Sequence, residues 1–379
     1  MFARDVANVK NESFQRNVQR LRPFQGTKIF SLVSGGVDSS VATAMAAAAG
    51  LDVDGVTMLN HAGAGDSAAA ALCSELGIEL LTFNLRAAFE ELVLAPFCRA
   101  YAAGRTPNPC AICNRTVKFG LLWDRIAECR GSDDFLVLTG HYARIERANG
   151  EAHLCRGSDA RKDQSYFLCM LQPERMRRLI LPLGDFTKSG VREMARAIGE
   201  QGSALFARLA QKPDSMDICF QQDGGYRAML PACGQRGDIV DRSGNVLGQH
   251  NGIENFTIGQ RKGLGISAKA PRFVVDIRAA ENLVVVADRY EAETRVVTAG
   301  SMNVLAPAKF RDGARLSGKI RSQSALSPCT LSLHRDGHAT ATFDLPQFAP
   351  APGQYLALYD GETLVAGGEI VRDACSPPS

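Results

Sequence analysis

Between Lys28 and His141, short solid apolar runs alternate with stretches of helix spacing. KIFSLV (28–33) reads as a strand buried on both faces, a glycine turn follows, and VATAMAAAAG (41–50) reads as a helix that Gly50 ends. DVDGVTML (52–59) is a second strand, DSAAAALCSELG (66–77) a second helix and IELLTFNL (78–85) a third strand. Strand and helix in turn predict an α/β fold with a doubly wound parallel sheet, which takes its ligands at the carboxyl ends of the strands. DDFLVLTGH (133–141) repeats the theme and puts Gly140 and His141 at such an end.

After about residue 210 the pattern becomes glycine-punctuated and β-leaning, as in GDIVDRSGNVLG, RFVVDIR and NLVVVA. Beyond about 290, short alternating runs (LSGKIRSQ, CTLSLHRD, HATATFDL, QYLALYDG, TLVAGGEIV) recur with turn residues between them, predicting a small β-barrel or sandwich. The expected organisation is an N-terminal extension or loosely docked helix at 1–26 with no clear core face, a catalytic α/β domain at 27–210, a small central β-rich domain at 211–289 and a C-terminal β-barrel at 290–379.

A chain of 379 residues exceeds what one core supports, which agrees with several domains. The net charge of +3 allows a nucleic-acid partner only through local basic patches. The first residues lack the apolar core of a signal peptide and no long apolar stretch follows, so a cytoplasmic protein with no membrane partner is expected. Eleven cysteines, an odd number, argue for thiols that are buried or chemically used rather than for a disulfide framework.

The segment Ser34-Gly35-Gly36-Val37-Asp38-Ser39-Ser40 follows the first strand and opens the first helix of the alternation, where backbone amides and the helix dipole make an anion site. A capped helix behind a glycine turn is the plainer reading of SGG alone. No GxxxxGK[ST] occurs, so the common P-loop triphosphatase is excluded. Beside phosphates, the Asp38 carboxylate would hold Mg2+ or position another group. A second cluster, GRTPNPCAICN (104–114) followed by Lys118-Phe119, ends a proline-stiffened loop in C-x-x-C; with no second Cys or His pair at finger spacing, a structural zinc site is disfavoured. A third cysteine, Cys219, lies in KPDSMDICF (212–220) and alone would read as packing.

SGGVDSS resembles the PP-loop of the ATP pyrophosphatase superfamily, and the two cysteine motifs together resemble those of the bacterial tRNA-specific 2-thiouridylases. The similarity extends through GHYAR (140–144), KDQSYFL (162–168), PLGDFTKSGVREMA (182–195), GQHNGIENFTIGQRKGLGI (248–266) and PGQYLALYDGE (352–362), most of the chain from about 28 to 370. The resemblance implies a PP-loop domain, a central domain and a C-terminal barrel. It implies ATP with Mg2+ bound by Ser34 to Ser40, Met58 and Gly140, adenylation of the C2 oxygen of a tRNA uridine, and sulfur transfer from a persulfide on Cys219 with Cys113 as its partner thiol. It also sets Asn108, Pro109 and Cys110 against the target base. His141, Lys162, Asp163, Gln164, Arg321 and Gln354 face tRNA, a separate protein donates the sulfur, and the enzyme is a monomer.

The chain departs from that family in three places. Cys110 stands where many members have aspartate, so Cys110, Cys113 and Cys219 are three thiols able to ligate a 4Fe-4S cluster with one iron open. The stretch after Met58 is short, and Lys319-Ile320-Arg321-Ser322 replaces a common Arg-Tyr pair. Two other functions stay open on the residues alone: an amidating PP-loop ligase, which would leave the cysteines idle, and a non-catalytic RNA-binding or sulfur-carrier relative. His334 and His338 flank an Asp336-Gly337 turn signal, which suggests a hairpin rather than a metal site, and Lys188 with Arg192 reads as a basic helix face able to meet phosphate.

Overall fold

The computed structural model describes residues 6–61, 66–213, 219–220 and 234–372. The chain divides into two compact units that interleave in sequence: Met1–Glu90 with Asn114–Met216, and Glu91–Cys113 with Asp217–Ser379.

In chain order the elements begin with α1 (Glu12–Leu21), β1 (Lys28–Leu32), α2 (Val37–Ala48), β2 (Asp52–Leu59), α3 (Ser67–Leu76) and β3 (Leu80–Asn84). Two helices of the second unit follow, α4 (Ala95–Ala102) and the short α5 (Pro109–Cys113). The first unit resumes with α6 (Leu122–Arg130), β4 (Leu136–Leu138), β5 (Ala143–Ala148), β6 (Glu151–Arg156), β7 (Leu179–Ile180), α7 (Lys188–Glu200) and α8 (Ala204–Gln211).

Its sheet is five-stranded and parallel in the order β3-β2-β1-β4-β7. Ile29 and Phe30 of β1 are fully buried, as expected for a strand covered on both faces. The alanines of α2 suit a buried helix: Ala42, Ala44 and Ala46 are solvent-free and join Val41 and Met45 in the core. The strand order reverses about β1, which has β2 on one side and β4 on the other, so the loops leaving β1 and β4 open the crevice where such sheets bind ligands.

Residues 6–26 take the second of the two expected forms, a docked helix, and it packs closely. Phe14, Val18 and Leu21 of α1, spaced four and three apart, are buried in the same core as α2. Asn11 caps the helix by accepting from the Phe14 amide, and the buried Asn17 donates to the Pro182 carbonyl. Three apolar side chains on an otherwise polar helix make a stripe too sparse to stand out before its partner surface is known. The β5–β6 hairpin was likewise not anticipated, although Asn149-Gly150 (φ 53 and 78) is the usual two-residue turn signal.

The second unit holds a four-stranded sheet in the order β10-β11-β8-β9, from β8 (Arg236–Val240), β9 (Val246–Asn251), β10 (Phe273–Arg278) and β11 (Leu283–Ala287). Then come β12 (Glu293–Val304), β13 (Arg315–Lys319), β14 (Ser327–Leu333), β15 (Ala339–Phe348), β16 (Tyr355–Asp360) and β17 (Thr363–Ile370). These six close into an antiparallel barrel because β12 pairs with β15 along one part and with β17 along another. Closure, not a sandwich, follows from the length of β12 and its register shift between Gly300 and Asn303, where Ser301 takes φ 51. His334 and His338 sit across the β14–β15 turn, with the His334 amide bonded to the His338 carbonyl at 2.9 Å. No helix among the described residues is long and apolar enough to cross a membrane.

Phe30 lies edge-on to Phe135 with ring centroids 5.1 Å apart, under the strands that carry both crevice loops. Phe30→Ala should destabilise the protein by about 3–5 kcal/mol through the cavity it leaves. Equilibrium urea unfolding checks this as a lowered midpoint.

Candidate active site

The turn from β1 into α2 is shaped by glycine. Gly35 takes φ +71, and a Cβ there would lie 2.5 Å from the Ala68 Cβ of α3, so the position needs glycine both for its dihedral and for space. Gly36 occupies the helix N-cap with no side chain to bond the first amides, which leaves donors of α2 open at the positive end of its dipole. Ser34 is exposed beside them; its amide donates to Ser39 Oγ at 3.2 Å, and the two hydroxyls lie 3.1 Å apart. The Ser40 hydroxyl is buried with no hydrogen-bond partner among the described residues. Open amides, serine hydroxyls and the bare backbone of Gly35 and Gly36 fit a polyphosphate.

Gly140, after β4, abuts this loop: a Cβ would come within 2.8 Å of the Asp38 carbonyl carbon and the Ser39 amide nitrogen. Two residues on, the buried Tyr142 donates its hydroxyl to Asp38 Oδ1 at 2.7 Å. Lys188, the first residue of α7, reaches both Asp38 oxygens at 2.7 and 2.6 Å. The Asp38 carboxylate thus holds an ammonium and a phenol. Lys188 and Arg192 do not form the free basic face expected of them: Lys188 is turned onto Asp38, and Arg192 donates to the Ala210 carbonyl. Sequence reasoning missed Tyr142 as a partner of Asp38. The available signal was its place two residues after a glycine at a strand end.

His141 is half-buried, with its backbone amide and Nδ1 both at Thr139 Oγ1 and its ring 5.8 Å from that of Phe119. Loss of solvent, and secondarily the charge of Lys118, push its pKa down to about 3. The imidazole is therefore neutral at physiological pH. Of the stretch 162–164, expected against tRNA, Lys162 is half-buried. Asp163 is buried and accepts from the amides of Gly157 and Ser165 at 3.1 and 3.0 Å, while Gln164 Oε1 accepts from the Tyr142 amide at 2.9 Å. Both organise the loop next to Tyr142. Met58, at the end of β2, is half-buried.

In the second unit, α4 leads into the loop GRTPNP. Gly104 takes φ +69 with its Cβ position 2.5 Å from the Ile277 carbonyl of β10, and Arg105 pairs with Glu369 of β17. The Thr106 amide donates to the Pro352 carbonyl at 2.8 Å, and Gln354 Nε2 donates to the carbonyls of Thr106 and Pro107 at 3.0 and 3.3 Å. Gln354, expected against tRNA, is thus a clamp on this loop. Asn108 is buried and its Oδ1 accepts from the Ala111 amide at 3.1 Å, which starts α5 with Pro109 at its first turn. Cys110 projects to the surface and Cys113 is buried.

Cys219 is exposed, and its neighbour Phe220 is buried edge-on to Phe97 of α4 with centroids 5.7 Å apart. The same helix therefore anchors the Cys219 turn and leads into the Cys110–Cys113 loop. The remainder of that motif, 214–218, lies outside the described residues. Among the described residues no group of three or more His, Cys, Asp or Glu side chains gathers to hold a metal, so the three thiols are not assembled here as ligands of a 4Fe-4S cluster. Lys319 and Ile320 are buried in the barrel, and Arg321, expected on tRNA, donates from Nη2 to the Ile258 and Ala349 carbonyls at 2.9 and 2.7 Å.

The contact at Gly140 yields a prediction. Gly140→Ala should push apart the loops after β1 and β4 and weaken binding of a non-hydrolysable ATP analogue at least about tenfold, because a Cβ there meets backbone, which has little room to give. Isothermal titration with the analogue measures it. A second follows from His141: its folded pKa lies below the unfolded value, so its contribution to stability is present above about pH 6.5 and falls as the pH drops toward 3. The unfolding midpoint of wild type should fall more between pH 7 and 5 than that of His141→Gln.

Three family models match the chain: one described as a tRNA methyl transferase HUP domain over residues 27–223, one as a tRNA methyl transferase PRC-barrel domain over 231–288, and one as an aminomethyltransferase beta-barrel domain over 294–370. The tRNA-specific 2-thiouridylase MnmA of Lachnoclostridium phytofermentans is 39% identical over 365 residues, covering 91% of this chain and 99% of that protein. Its counterpart from Syntrophotalea carbinolica is 40% identical over 356 residues, covering 90% and 98%. With identity at this level spread across both units, the chain belongs to the tRNA-specific 2-thiouridylase family.

Proposed function

We propose that this protein replaces the C2 oxygen of a tRNA uridine by sulfur at the expense of ATP. The observation that carries the reading is the pairing, in one chain, of a glycine-turned phosphate loop at the switch point of a parallel sheet with two thiols that share one helix: Cys113 follows it along the chain, and the Cys219 turn is held to it by Phe97 and Phe220. An amidating ligase would use the first feature and leave the second without work.

In this reading the loop Ser34 to Ser40 receives the phosphates of ATP, and Asp38 keeps Lys188 and Tyr142 in place beside them. Mg2+ would join as the counter-ion of the triphosphate. The uridine oxygen displaces pyrophosphate and becomes an adenylate, which turns a poor leaving group into AMP. The terminal sulfur of a Cys219 persulfide then attacks C2 and AMP departs. The Cys113 thiolate next attacks Cys219 Sγ, which closes a disulfide between the two cysteines and leaves sulfur on the base. A cellular thiol reductant reopens the disulfide and a separate sulfur-donor protein restores the persulfide. The exposure of Cys219 suits reloading from outside, and the burial of Cys113 keeps it from competing oxidants. Cys110, on the surface of α5, shapes the base pocket with Asn108 and Pro109 and is not required for sulfur transfer. The enzyme acts as a cytoplasmic monomer.

Nucleoside analysis of tRNA incubated with ATP, a sulfur source and each variant tests the assignment. Cys113→Ser and Cys219→Ser should each eliminate thiolated uridine, whereas Cys110→Ser should retain substantial activity. Full activity in Cys219→Ser would sink the proposal. Loss of activity together with iron content in anaerobically prepared Cys110→Ser would favour a cluster over the persulfide.

A further inference from the structure

We infer that the loop 257–262, with Arg321 as its floor, is a docking basin for the phosphate backbone of the tRNA substrate; this rests on the function proposed above and adds a contact surface to it. The basin is an open concavity of about 620 Å³ lined by Thr257 to Lys262 and Arg321. Its rim is built rigidly. Thr257 to Gln260 form a tight turn closed by the Gln260 amide on the Thr257 carbonyl at 2.9 Å, with Gly259 at φ +87. The Gln260 side chain accepts from the Thr257 amide at 3.1 Å and donates to the Lys262 carbonyl at 3.0 Å, while Gly259 and Gln260 bond to Val274 of β10. Arg321 is pressed against the turn: a Cβ on Gly259 would meet its guanidinium nitrogens at 3.1 and 3.2 Å, and its bonds to Ile258 and Ala349 hold it there.

Charge identifies the occupant. Residues 257–272 carry Arg261, Lys262, Lys269 and Arg272 and no acidic residue, in a chain whose totals of 43 basic and 40 acidic residues nearly cancel. Arg261 and Lys262 are exposed and make no ion pair among the described residues. Several other surface cations of this unit are matched, Arg289 with Glu293, Arg315 with Asp344 and Lys309 with Asp360. Two adjacent unneutralised cations beside a third that is held in place, on a concave surface with no carboxylate in its lining, concentrate positive potential. An enclosed site with buried donors would suit a small anion. An open basin edged by long, mobile cations suits a polyanion that runs across it, where contacts set position without reading sequence. A chain with so small a net charge needs such a local surface to hold tRNA.

The test uses the full-length protein and unmodified tRNA in a binding titration over a potassium chloride series, without ATP. Arg261→Ala/Lys262→Ala should weaken binding about tenfold or more at moderate salt and make the slope of log affinity against log salt shallower by about 2, one for each lost phosphate contact. The charge-keeping Arg261→Lys/Lys262→Arg should behave as wild type. Both side chains are exposed, so thermal unfolding of the double variant should match wild type, and that measurement separates lost binding from lost fold. Unchanged affinity and slope in the alanine variant overturn the inference. So does normal tRNA binding with a defect only in thiolation fed by a protein persulfide donor, which would make the basin a protein-docking surface. Failure of wild type to bind tRNA would instead bring down the functional proposal on which this one stands.

Discussion

The close approach of Gly140 to the amide of Ser39 is the contact on which the rest of the first unit's site depends. In a parallel sheet ordered β3-β2-β1-β4-β7, the loops leaving β1 and β4 diverge from adjacent strands at one edge of the crevice. They can share one small site only if backbone meets backbone. With a side chain at 140 the second loop would stand off, and Tyr142, which follows on the same loop, would lose its reach to Asp38. With a side chain at 35 the first loop would collide with α3. Both glycines pay for proximity with conformational freedom, and the carboxylate, ammonium and phenol that gather at Asp38 are what that proximity makes possible.

A pattern recurs in the polar residues. Asp38, Asp163, Gln164, Gln354 and Arg321 each look like groups meant for a ligand, and each is bonded to the protein's own backbone or side chains. Such groups fix the geometry of loops that carry no regular hydrogen-bond ladder of their own, where every buried amide and carbonyl still requires a partner. The loop GRTPNP shows the need most clearly. It holds two prolines that supply no amide, and it is secured by Gln354, the Pro352 carbonyl, the Arg105 to Glu369 pair and a glycine set against Ile277. Precision at Asn108 to Cys113 thus comes from residues far away in the chain.

Much of the architecture could be read before any coordinates. Buried parallel strands are solid apolar runs, the buried helix α2 is a run of alanines, and glycine marks the turns, so β1 to β4 and α2 to α3 follow from local pattern, as do the strands of the second half. The phosphate loop was legible because its chemistry is backbone chemistry, written in consecutive glycines and serines. The cysteine motifs were legible as motifs, and their spacing across about a hundred residues raised the question of a shared site. Three further matters were decided only in three dimensions. Whether six strands close into a barrel depends on where the bulge in β12 bends it, which alternation along the strand does not encode. Whether α1 is an appendage or part of the core depends on the surface its sparse stripe meets. Whether a polar side chain faces substrate or braces a loop depends on which carbonyls and amides lie within about 3 Å, because hydrogen bonding is short-ranged and its partners are distant in sequence. Residue types and their local order state what chemistry the chain can do; the packing of loops against strands settles which atoms are left to do it.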